Sequence, residues 1–185
     1  KKPERMNRLL QGDVGSGKTI VAFIGIIAAV EAGGQGAIMA PTEILARQHF
    51  ETLSPLTKKV GVSLNLLTGR DKGTARNKKL IDLKEGKTNI IIGTHALFQA
   101  DVVFKDLRLA VVDEQHRFGV RQRLELGKKG SVVDLLLMTA TPIPRSLALA
   151  HYGDMDFSII KQKPPGRKPI NTALISSSRI DEVVD

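Results

Sequence analysis

The chain has 185 residues, of which 42% are hydrophobic and 25% charged, a balance that fits one globular domain and excludes a wholly disordered chain. Its 28 Lys and Arg against 19 Asp and Glu give a formal charge of +9, which favours a polyanionic partner such as nucleic acid, with a merely solubilising basic surface as the alternative. The absence of cysteine excludes disulfides and thiolate metal ligands, and no apolar run is long enough to cross a membrane, so we expect a protein of the reducing cytoplasm.

Apolar runs typical of buried strands alternate with amphipathic stretches typical of helices. Strands are predicted at 8–11, 37–40, 63–67, 89–92, 109–112 and 135–138. Helices are predicted at 17–32, 43–57, 74–85 and 144–151. This order predicts an α/β fold with a mostly parallel sheet and helices on both faces.

The alternation stops after Gly153. The segment 163–169 is basic and rich in proline, which is typical of an extended connector, and 170–175 could add an edge strand. We therefore expect one domain at 1–160, followed by a connector at 161–185.

The segment GDVGSGKT matches G-x-x-x-x-G-K-T and lies between an apolar strand and an apolar helix. Its residues are Gly12, Asp13, Val14, Gly15, Ser16, Gly17, Lys18 and Thr19. Glycine lets the backbone N–H groups turn towards a phosphate, and the positive end of the following helix adds to the field. We expect Lys18 to neutralise the β- and γ-phosphates of ATP as a catalytic residue, and the Thr19 hydroxyl to bind Mg²⁺. A strand-to-helix turn with an incidental Lys and Thr is the alternative.

Two carboxylates, Asp113 and Glu114, directly follow the predicted strand 109–112. Asp113 is the candidate Mg²⁺ partner opposite the loop threonine, and Glu114 the candidate catalytic base for the attacking water. Helix capping is the alternative for such acids, but the phosphate loop favours an ATP site. Gln115 and His116 come next, where they could sense the γ-phosphate, although His116 could also be a surface histidine.

Five segments resemble, in order, the motifs of superfamily 2 helicases: GDVGSGKT, APTEILARQHF, GTHALFQ, DEQHRFGVRQR and TATPIPRSLALA. Over nearly its whole length the chain resembles the RecG family of bacterial DNA translocases, which remodel branched DNA at stalled replication forks. The transcription-repair coupling factor is the alternative, but it usually has a second Glu where this chain has Gln115. The resemblance implies a RecA-like P-loop NTPase domain, the first motor lobe of a monomeric, nucleoid-associated protein.

The resemblance also implies roles for two further sets of residues. Contacts to the DNA backbone are implied for Pro41, Thr42, Arg47, Gly93, Thr94 and His95. Coupling of nucleotide state to DNA movement is implied for Gln115, His116, Thr139, Ala140 and Thr141. Thr42 also suits a helix N-cap, and the hydroxyls of Thr139 and Thr141 could bond to Asp113 or His116, with simple termination of a strand as the alternative.

Parts of the family pattern have no match in this sequence. They are the glutamine segment that contacts adenine, the second motor lobe with its arginine fingers, and the wedge domain. An arginine finger contributes about 10³ to 10⁵ in rate, so we expect the chain alone to bind ATP weakly and hydrolyse it slowly. A small-molecule phosphotransferase and a non-catalytic nucleotide or nucleic-acid binding module are alternatives of other classes.

Overall fold

A computed structural model describes residues 5–114, 129, 132–141, 155–162 and 174. The described elements are β1 (Asn7–Gly12), α1 (Lys18–Glu31), β2 (Gln35–Met39), α2 (Glu43–Lys59), β3 (Leu64–Leu67), α3 (Gly73–Lys84), β4 (Ile90–Gly93), a short 3-10 helix (His95–Phe98), β5 (Leu107–Val112), β6 (Asp134–Thr139) and β7 (Asp156–Ile160). Within these residues, the seven strands form one sheet in the order β3-β4-β2-β5-β6-β1-β7, and every neighbouring pair is parallel.

Both faces of this sheet are covered, which is why its strands contain runs of consecutive apolar residues, such as the last four residues of β5 (LAVV). Successive residues of a strand point to opposite faces, so Met39 and Ile38 of β2 belong to two separate cores. The core around Ile38 includes Phe23 of α1 and Leu53 of α2. The core around Met39 includes Leu83 of α3, so α3 covers the opposite face.

The path of the chain explains where the helices lie. From β1 to β3 the chain moves towards one edge of the sheet with α1 and α2 on one face, and it returns to β4 and β5 with α3 on the other face. A change of direction with a change of face is what right-handed crossovers require. Because all the strands are parallel, their carboxyl ends lie along one side of the sheet, which we call the carboxyl edge. Open parallel sheets bind their ligands there.

The predicted α/β fold is confirmed, as are all six predicted strands and the first three predicted helices, with ends that differ by no more than two residues. The predicted helix at 144–151 lies outside the described residues, as do the possible edge strand at 170–175, apart from Leu174, and nearly all of the connector. Among the helices that the structure describes, none is both long and apolar enough to traverse a bilayer.

The expectation that the regular alternation ends at Gly153 was wrong, because it missed β7. Within the described residues, this strand pairs only with β1, at the edge of the sheet, and two of the five residues in its sequence DFSII are polar. The polar residues have partners on β1, since Arg8 donates to Ser158 Oγ at 2.7 Å and to Asp156 Oδ2 at 2.9 Å. An edge strand stabilised in this way lacks the apolar pattern by which the other strands were recognised.

Candidate active site

The predicted site residues meet at the carboxyl edge of the sheet because each set follows a parallel strand. The phosphate loop follows β1, Asp113 follows β5, and Thr139 ends β6, which lies between these two strands. Adjacent strands are about 4.8 Å apart, so the ends of β1 and β5 are separated by about 10 Å. A nucleotide phosphate with its metal ion can bridge such a gap.

The phosphate loop is held in a compact turn by its own backbone. Ser16 N donates to the Asp13 carbonyl at 3.1 Å, and Gly17 has a φ of 95°, in the left-handed region that favours glycine. The Lys18 ammonium folds over the start of the loop and donates to the carbonyls of Gly12 at 2.8 Å and Asp13 at 2.9 Å. It therefore lies where a phosphate oxygen could replace these carbonyls as its partner.

The amino-terminal end of α1 has the features of an anion site. Its N-cap, Gly17, offers no side-chain cap and its first turn contains no acid, whereas α2 is capped by Thr42 and begins with Glu43. The first N–H groups of α1 and the positive end of its dipole are thus available to an anion. Among the described residues, the hydroxyl of Ser16 in the same loop is buried without a hydrogen-bond partner, as expected of a site that fits a phosphate.

Gly12 is required by packing at the point where β1 enters the loop. A Cβ atom at this position would lie 2.6 Å from Ser16 Oγ and 3.1 Å from Ile160 Cβ of β7. The strand that sequence reasoning missed therefore packs directly against the beginning of the phosphate loop.

Asp113 is fixed by contacts on both carboxylate oxygens. Its N–H extends the pairing of β5 with β2 by donating to the Met39 carbonyl at 2.8 Å. Oδ1 accepts from Glu114 N at 3.0 Å, and Oδ2 lies 2.8 Å from His49 Nε2 of α2. The side chains of His49 and Asp113 are only 11% and 13% exposed, so this contact is largely shielded from water.

Glu114 has an unusual backbone conformation. Its φ is 50°, and among the described residues other than glycine it alone has a positive φ. A residue with a Cβ atom is strained in this region, and such strain often occurs at functional sites. This conformation supports a functional role for Glu114 over simple helix capping.

The suggested bond from Thr139 or Thr141 to Asp113 is not formed among the described residues, and the other suggested partner, His116, lies outside them. Thr139 is buried, and its hydroxyl accepts from Thr141 N at 3.1 Å, which closes the turn after β6. Asp113 uses His49 instead, because α2 brings this residue over the end of β5. Gln115 and His116 lie outside the described residues, so their coupling role stays a prediction.

The segments expected to contact DNA follow two adjacent strands, β2 and β4, and Ala40 N donates to the Gly93 carbonyl at 2.9 Å between them. Arg47 and His95 are exposed, as contacts to a phosphate backbone require, while Pro41 and Thr42 are half-buried. Thr42 is the N-cap of α2, since its Oγ1 accepts from Leu45 N at 3.3 Å. This capping prediction is confirmed.

Two residues of the second segment do not present a side chain to solvent. Thr94 is only 2% exposed. Gly93 is explained by packing, because a Cβ atom there would lie 2.5 Å from the Leu67 carbonyl of β3 and 2.8 Å from Leu97 Cγ. In this conformation, His95 is the residue of the segment 93–95 that is exposed to a ligand.

Sequence reasoning missed His49. The buried positions of α2 are Ala46, His49, Leu53 and Thr57, which recur at helical spacing. A buried histidine on a largely apolar stripe indicates a polar partner in the core, although the stripe does not identify that partner.

Comparisons with known proteins agree with the motifs. Residues 3–149 match the family model described as DEAD/DEAH box helicase. The chain is 53% identical over 182 residues to the ATP-dependent DNA helicase RecG of Bacillus subtilis (98% of this chain, 27% of that protein). It is 51% identical over 180 residues to the ATP-dependent DNA helicase RecG of Thermotoga maritima (97% of this chain, 23% of that protein).

A solved structure of RecG bound to a three-way DNA junction is also similar, with a TM-score of 0.83 and 48% identity. The similarity covers 97% of this chain and 24% of the RecG chain. The present chain thus spans about a quarter of the length of these relatives. The resemblance to RecG and the RecA-like fold drawn from the motifs are both confirmed.

Proposed function

The chain belongs to the DEAD/DEAH box helicase family, and we propose that it is the ATP-binding motor lobe of a RecG-like DNA helicase. In this role, ATP hydrolysis drives the complete protein along duplex DNA and remodels branched DNA at stalled forks and recombination intermediates. One observation supports the proposal most directly. The phosphate loop, which leads into the uncapped start of α1, and the acidic pair after β5 lie at the same carboxyl edge of the sheet, about two strand spacings apart.

The roles of the site residues follow from their chemistry. Lys18 exchanges its loop carbonyls for the β- and γ-phosphates, and the N–H groups of α1 bind the same phosphates. Thr19 and Asp113 would hold Mg²⁺, which would supply positive charge against the phosphates. Glu114 accepts the proton of the attacking water.

We propose that DNA contacts the lobe at the carboxyl ends of β2 and β4, beside the acidic pair that follows β5. Arg47 and His95 are exposed there, and the chain as a whole has a formal charge of +9. Aromatic residues make up only 4% of the chain, so stacking on bases contributes little and phosphate contacts dominate. The ligand of the similar RecG structure is a three-way DNA junction, which is the branched class of DNA that we propose here.

The relatives are much longer than this chain, which covers 27% and 23% of the two compared above. We propose that the complete protein supplies a second motor lobe whose arginine residues stabilise the transferring phosphate, and a wedge domain. The chain alone then hydrolyses ATP slowly. The complete protein acts as a monomer in the bacterial cytoplasm.

The test measures ATP turnover in the complete protein that contains this sequence, with and without a three-way DNA junction. DNA should stimulate the parent. Glu114→Gln should keep ATP affinity but lose at least about 100-fold in turnover, because the general base is gone. Lys18→Ala should weaken ATP binding by about 10- to 100-fold, as expected for the loss of a charged hydrogen bond. The exposed Lys59→Ala is the matched control and should behave as the parent.

Other results would favour the alternatives. Transfer of phosphate to a small molecule without any need for DNA would indicate a phosphotransferase. Nucleotide binding with equal, negligible turnover in the parent and in Glu114→Gln would indicate a binding module. Unchanged ATP affinity in Lys18→Ala would contradict the assignment of the phosphate loop.

A further inference from the structure

The buried contact between His49 and Asp113 joins a helix to the acidic pair. His49 Nε2 lies 2.8 Å from Asp113 Oδ2, and the two residues are 64 positions apart in the chain. Because an ionised carboxylate can only accept, the ring nitrogen that faces Asp113 must carry the proton. The contact is therefore a charge-assisted hydrogen bond in a site shielded from water.

The contact fixes the orientation of the Asp113 carboxylate and leaves both oxygens able to bind a further partner. One oxygen accepts from His49 and the other from Glu114 N at 3.0 Å, so the carboxylate cannot rotate freely. Each carboxylate oxygen has two lone pairs, which leaves one on each oxygen for a further partner. Mg²⁺ requires nearly ideal octahedral geometry, so the orientation of a carboxylate that holds it, directly or through water, affects affinity strongly.

We propose that His49 is a positioning residue for Asp113, which it orients towards the Mg²⁺ that accompanies the nucleotide. This inference rests on the proposed function, because it requires Asp113 to serve the metal ion. In this proposal, His49 acts on the metal through Asp113 and not by direct contact. It fixes the direction of the carboxylate from α2, as outer partners of metal ligands do in general.

A purely structural role makes a different prediction. If His49 only fills space between α2 and the sheet, a residue of similar size should replace it without changing the affinity for Mg²⁺. Leu fills the site but cannot donate, whereas Gln carries an amide N–H group about as far from its backbone as His Nε2. Asn has the same amide on a shorter side chain that does not reach Asp113.

The experiment titrates Mg²⁺ against binding of a fluorescent ADP analogue to the chain. The variants are His49→Leu, His49→Gln and His49→Asn, and Gln48→Leu is the exposed control on the same helix. We expect about tenfold more Mg²⁺ for half-saturation in His49→Leu and His49→Asn, as for other outer partners of metal ligands, and values near the parent for His49→Gln and Gln48→Leu. Binding measured in EDTA should be equal in all of them, and circular dichroism and thermal unfolding identify any variant that does not fold.

The outcomes separate the two proposals. If the parent binds nucleotide with a Mg²⁺ dependence that no folded His49 variant changes, the positioning role is wrong and the ATP site stands. The positioning role is equally wrong if His49→Gln is as impaired as His49→Leu, since the donated hydrogen bond is then irrelevant. If the parent shows no Mg²⁺-dependent nucleotide binding, both proposals fail. Should His49→Leu not fold, the comparison of His49→Asn with His49→Gln decides.

Discussion

The hydroxyl of Thr94 offers a stability test at the edge that we assign to nucleic acid. Thr94 follows β4 and precedes the 3-10 helix, a position where a threonine usually caps the helix. Here the side chain makes no capping hydrogen bond, and the Thr94 carbonyl accepts from Leu97 N at 3.0 Å. Among the residues that the structure describes, its Oγ1 is buried without a partner.

The expected effect of Thr94→Val follows from this burial. A buried polar group without a hydrogen bond costs about 1–3 kcal/mol, while an apolar group of the same shape removes that cost. Val has nearly the outline of Thr and the same β-branch, so the packing of a residue that is 2% exposed should survive. We expect Thr94→Val to raise the free energy of unfolding by about 1 kcal/mol, equivalent to about 2–4 °C in Tm for a chain of this size.

Urea unfolding followed by circular dichroism measures this difference, with Thr74→Val at an exposed position of α3 as the control. The control should change the free energy of unfolding by no more than about 0.5 kcal/mol. A loss of about 1 kcal/mol or more in Thr94→Val would refute the reasoning, because the hydroxyl would then have a partner in the folded state. A stabilised variant that binds a DNA junction more weakly would indicate a hydroxyl that is reserved for the ligand.

Two further predictions concern the support of the sheet and the turn after β3. The buried Gln35 amide bonds to four backbone groups, the carbonyls of Leu83 and Thr88 and the N–H groups of Lys105 and Asp106, at 2.7–3.0 Å. Gln35→Leu should therefore lower the free energy of unfolding, measured by urea titration, by about 3–5 kcal/mol. The exposed Asn77→Leu is the control and should have little effect. Equal urea midpoints for Gln35→Leu and the parent would contradict this account. Burial raises the pKa of Asp71, but hydrogen bonds from Lys79 Nζ and Thr68 N outweigh it and leave the pKa below its ordinary value. Asp71→Asn should thus have a lower free energy of unfolding than the parent above about pH 4, and the difference should shrink as the pH falls through the lowered pKa. A difference in free energy of unfolding that does not depend on pH would exclude a contribution from the lowered pKa of Asp71.

The sequence by itself determined the fold class and the phosphate loop. The fold class was predictable because strands buried on both faces are continuous apolar runs, separated here by helices of ordinary length. The loop was predictable because its contacts are local, such as Lys18 to the carbonyl of Gly12, six residues earlier. Short-range contacts of this kind are encoded in the spacing of residues along the chain. The roles that we propose for Asp113 and Glu114 rest on the position of these residues after a recognisable strand.

Only the tertiary structure decided which distant groups meet. It paired Asp113 with His49 across 64 positions, where sequence reasoning had suggested Thr139 or Thr141 as partner. It also added β7 beside β1 and buried Thr94, which was expected to contact DNA. The physical reason is the same in each case. The periodicity of a sequence reports which face of an element is buried, but not which element covers that face. The phosphate loop was therefore predictable from eight consecutive residues, whereas the environment of its acidic partner depended on how α2 packs over the sheet.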